Sequence, residues 1–449
     1  MRDLLIVILV FGSVPIIFMR PWFGIIVWCW LGFMNPHRLT WGFAYDFPFA
    51  QLVAIVTLTA ILFSREKKQF ELSPFLVLWF VWVVWMNITT LFALVPAETV
   101  KDYDRTMKIQ LFAFLTILLI NNEERVRALM WVTVLSLGFF GFKGGVFSIV
   151  TGGNYLVWGP EGSFIQGNNG LGLALTMTIP LMFYLYTNEE GKWVKRGMLA
   201  LMCFTSLAVL TTHSRGAFLA LGAMAGFLWL KSKRKLVVGV FMLLAIVVLI
   251  GFMPEEWMER MRTISTYKQD GSAMGRINAW WFAFNLAKDN PITGGGFGVF
   301  LPHLFNIYAP VPEDFHDSHS IYFEVLGEHG FIGLGLFLAL GLSALLLAGS
   351  TTRMCKKVPQ LEWIADVNRV IQVSLIGYAV GGAFLGLAYF DLYYHLLAII
   401  VLTRILARRR ISEMTSGTGP RAPELPADAA VSDGPSRIGD RFPTATRSR

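Results

Sequence analysis

Residues 313–335 read EDFHDSHSIYFEVLGEHGFIGLG, three histidines and five carboxylic acids in a chain that has seven histidines in all. His303, His316, His319 and His329 all fall in or near this stretch. A neutral imidazole is the usual general base near neutral pH. Asp317 or Ser318 reads as the N-cap of an apolar helix that follows. His319 is then expected in the first helical turn, where the positive end of the helix dipole disfavours an imidazolium and keeps the ring basic. His316 and His319 are three apart and on one helical face could share a metal ion. The cap signal between them breaks that helix, so no metal or other cofactor is expected. A plain solvated loop would also collect such residues, and that reading stays beside the catalytic one. His316 and His329 then flank the base, and Glu324 and Glu328 are candidate orienting groups.

Two arginines could serve the same chemistry. Arg215, in LTTHSRGAFLALG (210–222), lies at the junction of two apolar segments, and Arg276, in GRINAWW, opens a segment rich in tryptophan. A guanidinium offers planar, permanently charged donors that match a phosphate, although a snorkelling anchor is the simpler role for Arg215. Arg260 and Arg262 are weaker candidates of the same kind. Asn168 and Asn169, in GPEGSFIQGNNGLGLAL (159–175), read first as helix caps and second as sugar or phosphate ligands. Lys101, Arg105 and Lys108 precede an apolar segment at 105–120 and call for an anionic partner such as a lipid head group. Asp391 is either a cap or an acid facing the same vestibule.

The elements that must position these groups are membrane helices. The 449 residues are 55% hydrophobic and 15% charged, and runs such as LVVGVFMLLAIVVLIGFM (236–253) and FIGLGLFLALGLSALLLAG (331–349) approach or reach the length of a bilayer crossing. Continuous runs replace the alternation that a β-barrel requires. The fold expected is an all-α polytopic membrane protein of about twelve spans. The net charge of +8 gathers in short loops, SREKKQ, NNEERVR, EEGKWVKR, KSKRK, TTRMCKKVPQ and TRILARRRIS. The positive-inside rule accounts for these without nucleic acid. Twelve spans put both termini in the cytoplasm and the candidate residues outside; thirteen would put the N-terminus outside. Residues 1–34 could cross once or twice, with Arg20-Pro21 as the break. The first apolar block lacks a cleavage site, and the three cysteines form neither a disulfide framework nor a zinc pattern. Four regions follow: N-terminal helices in 1–252; an external segment in 253–319 with an interfacial amphipathic helix near 276–289; C-terminal helices in 320–411; and a disordered cytoplasmic tail in 412–449.

With these residues in view, the chain resembles the O-antigen ligase family, which takes in O-antigen ligases, O-antigen polymerases and protein O-oligosaccharyltransferases. His319-Ser320, nine residues, then Gly330-Phe331-Ile332-Gly333 match the family signature H-[NSQ]-x9-G-x-x-G. HSRGAFLA (213–220) is similar to its arginine landmark, and GRINAWWFAFNLAKDNPITGGGFGVF (275–300) to its approach to the histidine. The N-terminal RPWFGIIVWCWLGFMNPHRLTWGFAYDFPFA is similar to a subgroup of O-glycosylation ligases that accompany exosortase systems. Glu161 stands in a loop where many relatives carry an arginine. The resemblance implies a metal-independent glycosyltransferase of the bacterial inner membrane with a periplasmic, GT-C-like site. Its donor would be a glycan on undecaprenyl diphosphate, and its acceptor a hydroxyl of lipid A-core or a protein Ser/Thr. His319 would be the base, Arg215 and Arg276 the diphosphate ligands. Lys101, Arg105, Asn168, Asn169, His316, Glu324 and Asp391 would be substrate contacts. A polymerase would share this equipment. A lipid-linked oligosaccharide transporter should instead show charged or broken helices at mid-depth, where Lys143 is the main ionisable residue.

Overall fold

The computed structural model describes residues 1–416 apart from 67, 69, 232–234, 237, 238, 241, 242, 244–250, 252–254, 256 and 258–270. The expected span near 235–252, Arg260 and Arg262, and the tail from 417 onward lie wholly or mostly outside the described residues. Among those described there is no strand. The described residues of 1–407 form one compact unit.

The helices are α1 (Arg2–Met19), α2 (Pro21–Met34), α3 (Phe49–Phe63), α4 (Pro74–Leu91), α5 (Pro96–Leu119), α6 (Glu123–Val150), α7 (Asn168–Asn188), α8 (Lys192–Thr211), α9 (Arg215–Lys231), α10 (Gly271–Asp289), α11 (Pro302–Tyr308), α12 (Ile321–Cys355), α13 (Glu362–Gly382) and α14 (Asp391–Thr415). Six of them, α1, α4, α6, α7, α8 and α12, are long and apolar enough to cross a membrane, and α2 and α3 are shorter apolar helices. Their ends follow local rules. Ser73 caps α4 by accepting from the Leu76 amide, ahead of Pro74 at the first position, and Asn122 caps α6 by accepting from the Arg125 amide.

Residues 1–34 form two helices that break at Arg20, where Pro21 starts the second. Trp22, at the start of α2, meets Arg125, at the start of α6. At its other end α2 leads to Arg38, which lies against Gly162 in the loop before α7. Arg2 donates to Leu39 O and Asp3 accepts from the Ala44 amide. The first residues therefore sit at the end of the bundle that carries the loops before α7 and after α10. By Arg404, which donates to Ser350 and Thr351 near the far end of α12, α14 has reached the opposite end. The first residues and Arg404 therefore lie at opposite ends of the bundle, while the C-terminal residues from 417 lie outside the described ones. Helix α5 also begins earlier than expected, so Lys101, Arg105 and Lys108 stand on it rather than before it.

The centre of the unit is α13, packed against α7, α9 and α12. Beside it, Trp28 of α2 stacks on Phe112 of α5 at 3.8 Å, and Trp79 and Trp82 of α4 are buried. Burial of aromatic rings of this size supplies much of the apolar contact holding the N-terminal helices together. At the site end, α10 and α11 lie with the loop 309–320 around a small core of Phe282, Leu286, Val299 and Phe305.

Candidate active site

Helix α12 starts later than the sequence implies. Its N-cap is Ser320, whose carbonyl accepts from the Glu324 amide at 2.8 Å. Ser318 is buried and precedes the cap. His319 is therefore just ahead of the helix rather than in its first turn, with φ at 41° in the left-handed region. A non-glycine residue held there costs ~1–3 kcal/mol and persists where its surroundings over-determine it. Here Trp280 supplies part of that constraint: its Nε1 donates to Ser318 O at 2.9 Å, and its ring stacks on Phe323 at 5.1 Å. Asp317 fixes the other flank by accepting from the Ser318 amide. The half-buried His319 has its pKa lowered from the ordinary imidazole value. Burial is the main cause, Asp317 opposes it, and Arg276 and His316 push it further down. A lowered pKa favours the uncharged ring, and desolvation rather than a first-turn dipole is its main cause.

Helix α10 brings the arginine. Its Asn278 donates to Val311 O and Asp314 O and accepts from the Val311 amide, pinning the loop that leads to His319. A Cβ on Gly275 would lie 2.5 Å from the His316 ring, so only glycine lets α10 approach that ring so closely. Arg276 then faces a cavity of about 290 Å³ lined by Arg215, Leu219, Ala273, Arg276, Ile277, Trp280 and Phe384. The two predicted arginines, 61 positions apart in sequence, come from different helices and meet in one cavity with apolar walls. A second cavity of about 300 Å³ adjoins it through Ile277 and Trp280 and is lined otherwise by Trp281, Phe284 and Phe323. Paired guanidinium groups beside an apolar aromatic groove suit an anion attached to a hydrocarbon.

The glycines of 290–298 and of the signature explain each other. Inside α12, Gly330 is non-helical, with φ 68° and ψ −171°. That break leaves carbonyls without helical partners, and the glycine loop supplies them. The Gly295 amide donates to Gly327 O, the Gly296 amide to Glu328 O, and the Phe331 amide to Pro291 O. A Cβ on Gly330 would sit 2.5 Å from Ile292 O. Glu328 extends the clamp: one oxygen accepts from the Gly298 amide and the other from the Tyr389 hydroxyl. His329 is fully buried, bonded through Nδ1 to Thr89 at 2.6 Å and boxed by Trp82, Phe297 and Tyr389. It holds the platform under His319, a structural role.

The remaining predicted residues fall elsewhere. Asn168 is buried and donates to Thr212 O, so it holds the chain rather than facing a ligand; Asn169 is half-buried beside it. Glu324 accepts from the Ala388 amide, next to the start of α12. His316 pairs with Asp314 at 3.0 Å. Arg105 lies 3.1 Å over the Phe164 ring, with Asp102 and Asp391 acting on its charge. Lys101 is exposed. Asp391 starts α14 as expected but is buried against His395, whose Nδ1 is 2.7 Å away. Among the described candidates, only Arg215 and Arg276 line the cavity, and His319 follows Ser318, whose carbonyl accepts from the cavity residue Trp280. Among the described residues, no group of three or more His, Cys, Asp or Glu is arranged to hold a metal ion. Trp280 was legible only as an interfacial aromatic, because nothing in its spacing announces a bond to a backbone carbonyl.

The O-antigen ligase family model matches residues 199–338, a segment that contains Arg215, Arg276 and His319. Residues 199–338 are thus similar to the O-antigen ligase family, which agrees with the resemblance carried by the His319 signature. Residues 1–190 match a second model, described as a family of unknown function (DUF5935). Comparison with curated proteins finds no match. The segment matched by the O-antigen ligase model thus holds His319, both cavity arginines and the glycine clamp, whereas Lys101, Arg105, Asn168 and Asn169 belong to the other segment and Asp391 to neither.

Proposed function

We propose that the chain is a membrane glycosyltransferase of the O-antigen ligase kind. It transfers a glycan from undecaprenyl diphosphate to an acceptor hydroxyl, of lipid A-core by preference over a protein Ser/Thr or a second glycan, at the periplasmic face of the bacterial inner membrane. The observation that carries this reading is the cavity in which Arg215 and Arg276 meet, next to a histidine kept neutral by burial and by Arg276.

In this mechanism the acceptor hydroxyl gives its proton to His319 as its oxygen attacks the anomeric carbon. The bond from that carbon to the diphosphate breaks, and the electron pair leaves with the phosphate oxygen. Arg215 and Arg276 hold the diphosphate, whose negative charge grows in the transition state. Fixed cations in an apolar-walled site favour that charge more than the same cations would in water. The isoprenoid chain would follow the adjoining groove of Trp281, Phe284 and Phe323. A neutral base beside these cations is consistent, because Arg276, one of the two that bind the anion, also lowers the proton affinity of the imidazole.

The test is transfer by purified full-length protein supplied with an undecaprenyl-diphosphate glycan and, in separate reactions, lipid A-core, a Ser/Thr peptide and donor alone. Glycosylated lipid A-core is expected. Product only with the peptide, or only as lengthened donor, replaces the acceptor assignment. Product in none, with donor binding intact, overturns the transferase reading. Activity that persists in EDTA supports the metal-free mechanism, and loss restored by a divalent ion refutes it.

A further inference from the structure

We infer that His213 is a positioning residue whose left-handed turn, locked onto Gly153, aims Arg215 into the anion cavity. This rests on the reading of Arg215 as a diphosphate ligand.

Helices α8 and α9 are joined by three residues. Thr212 is still right-handed, with φ −66° and ψ −14°, and α9 begins at Arg215 with Ser214 Oγ accepting from the Ala217 amide. The reversal between antiparallel helices is therefore made at His213, at φ 52°. Glycine reaches this conformation without cost; among other residues Asn, Asp and His tolerate it best, and a β-branched side chain resists it. Glycine would turn the chain but could not hold it. The His213 imidazole does both: it is 6% exposed, and its Nε2 donates to Gly153 O at 3.1 Å.

The surrounding bonds make the turn a fixture rather than a loop. Leu210 O accepts from Trp257 Nε1 at 3.0 Å and Thr211 O from the Val157 amide at 3.3 Å. Thr212 O accepts from Asn168 Nδ2 at 2.7 Å, and the Thr211 and Ser148 hydroxyls bond at 2.5 Å. Every one of these bonds ends within five residues of Arg215, and none is needed to form α8 or α9. A displacement of the turn redirects the Cα–Cβ bond of Arg215, because that residue is the first of its helix and has no preceding turn to fix it. A charge-assisted pair with a phosphate depends on such direction.

The experiment uses detergent-solubilised full-length protein, with undecaprenyl diphosphate as the probe and phenylglyoxal labelling at Arg215 read by mass spectrometry. Arg215→Ala should weaken binding at least about tenfold, the loss of one charge-assisted bond. His213→Val should weaken it by a similar factor, and His213→Asn, which accepts the left-handed turn, should recover affinity to within about threefold of the parent. The double variant His213→Val/Arg215→Ala should bind no worse than Arg215→Ala, because residues that act as one unit are not additive. Labelling of Arg215 should change in His213→Val and not in His213→Asn. Parent-like binding and labelling in His213→Val, or losses that multiply in the double variant, overturn the proposal. If Arg215→Ala leaves affinity intact, the diphosphate reading falls, and the labelling alone then decides whether His213 sets the place of Arg215. If His213→Val does not fold, His213→Ala takes its place in every arm.

Discussion

The two His-Ser dipeptides of this chain occupy the same kind of place: each sits ahead of a helix that packs on α13, with the histidine left-handed. Their rings are used differently. His213 is buried, and its Nε2 is committed to a carbonyl. His319 is half-buried among Asp317, Arg276 and His316, and its ring takes no hydrogen-bond partner among the described residues. One turn spends its imidazole on holding the backbone. The other is held by Trp280 and the glycine clamp instead, and its ring takes no part in holding the backbone among the described residues. Strain at a histidine therefore marks the region of a site without saying which role the histidine plays; the fate of the ring nitrogens does.

The largest expected effect breaks the comparison at its reactive member. His319→Ala should lower transfer by about 10²–10⁴-fold, the contribution of a general base, while the protein still binds undecaprenyl diphosphate. Parent-like turnover would remove His319 from the mechanism. Next, Arg276→Ala should raise the donor KM by about ten- to a hundredfold through loss of a charge-assisted bond; an unchanged KM measured alongside a changed kcat would place Arg276 on the transition state alone. The clamp comes third. Gly330→Ala forces a side chain to φ 68° and against Ile292 O, which should cost ~1–3 kcal/mol of stability and lower the unfolding midpoint in detergent. An unchanged midpoint would mean that the break in α12 is not fixed by its glycine. The smallest effect is a displacement of the pH profile. Because the pKa of His319 is lowered, the acid limb of kcat/KM should lie below the ordinary imidazole value. Removing a positive neighbour raises an imidazole pKa, so Arg276→Gln should move that limb to higher pH. A limb that stays in place would show that the titrating group is not His319.

Much of this was written in the local pattern of the chain. The apolar runs located most of the described helices, the signature spacing singled out His319, and the junction position of Arg215 and the place of Arg276 at the head of a tryptophan-rich segment gave both cavity residues. What stayed hidden depends on contacts between distant segments. Asn168 reads as a cap or ligand because its partner, Thr212 O, is 44 residues away. Asp391 reads as a vestibule acid until α2 packs Gly32 against its carboxylate. The start of α12 was placed too early because Asp317 and Ser318 are as good a cap by type as Ser320, and only the clamped path through Trp280 selects among them. The side on which residue 1 lies turned on one short helix, α2, whose 14 residues are too few to be read as a crossing by length alone.

The break at Gly330 has a mechanical consequence. Residues 331–355 are the part of α12 that must match the thickness of the bilayer, and such helices answer a thinner or thicker membrane by tilting. Residues 321–329 are tied sideways to the glycine loop, Tyr389 and Thr89, not straight down through continuous helical bonds. At the joint the Gly327 and Glu328 carbonyls and the Phe331 amide are bonded to the glycine loop, so the bearing of the platform is set by that loop rather than by the rod that meets the lipid.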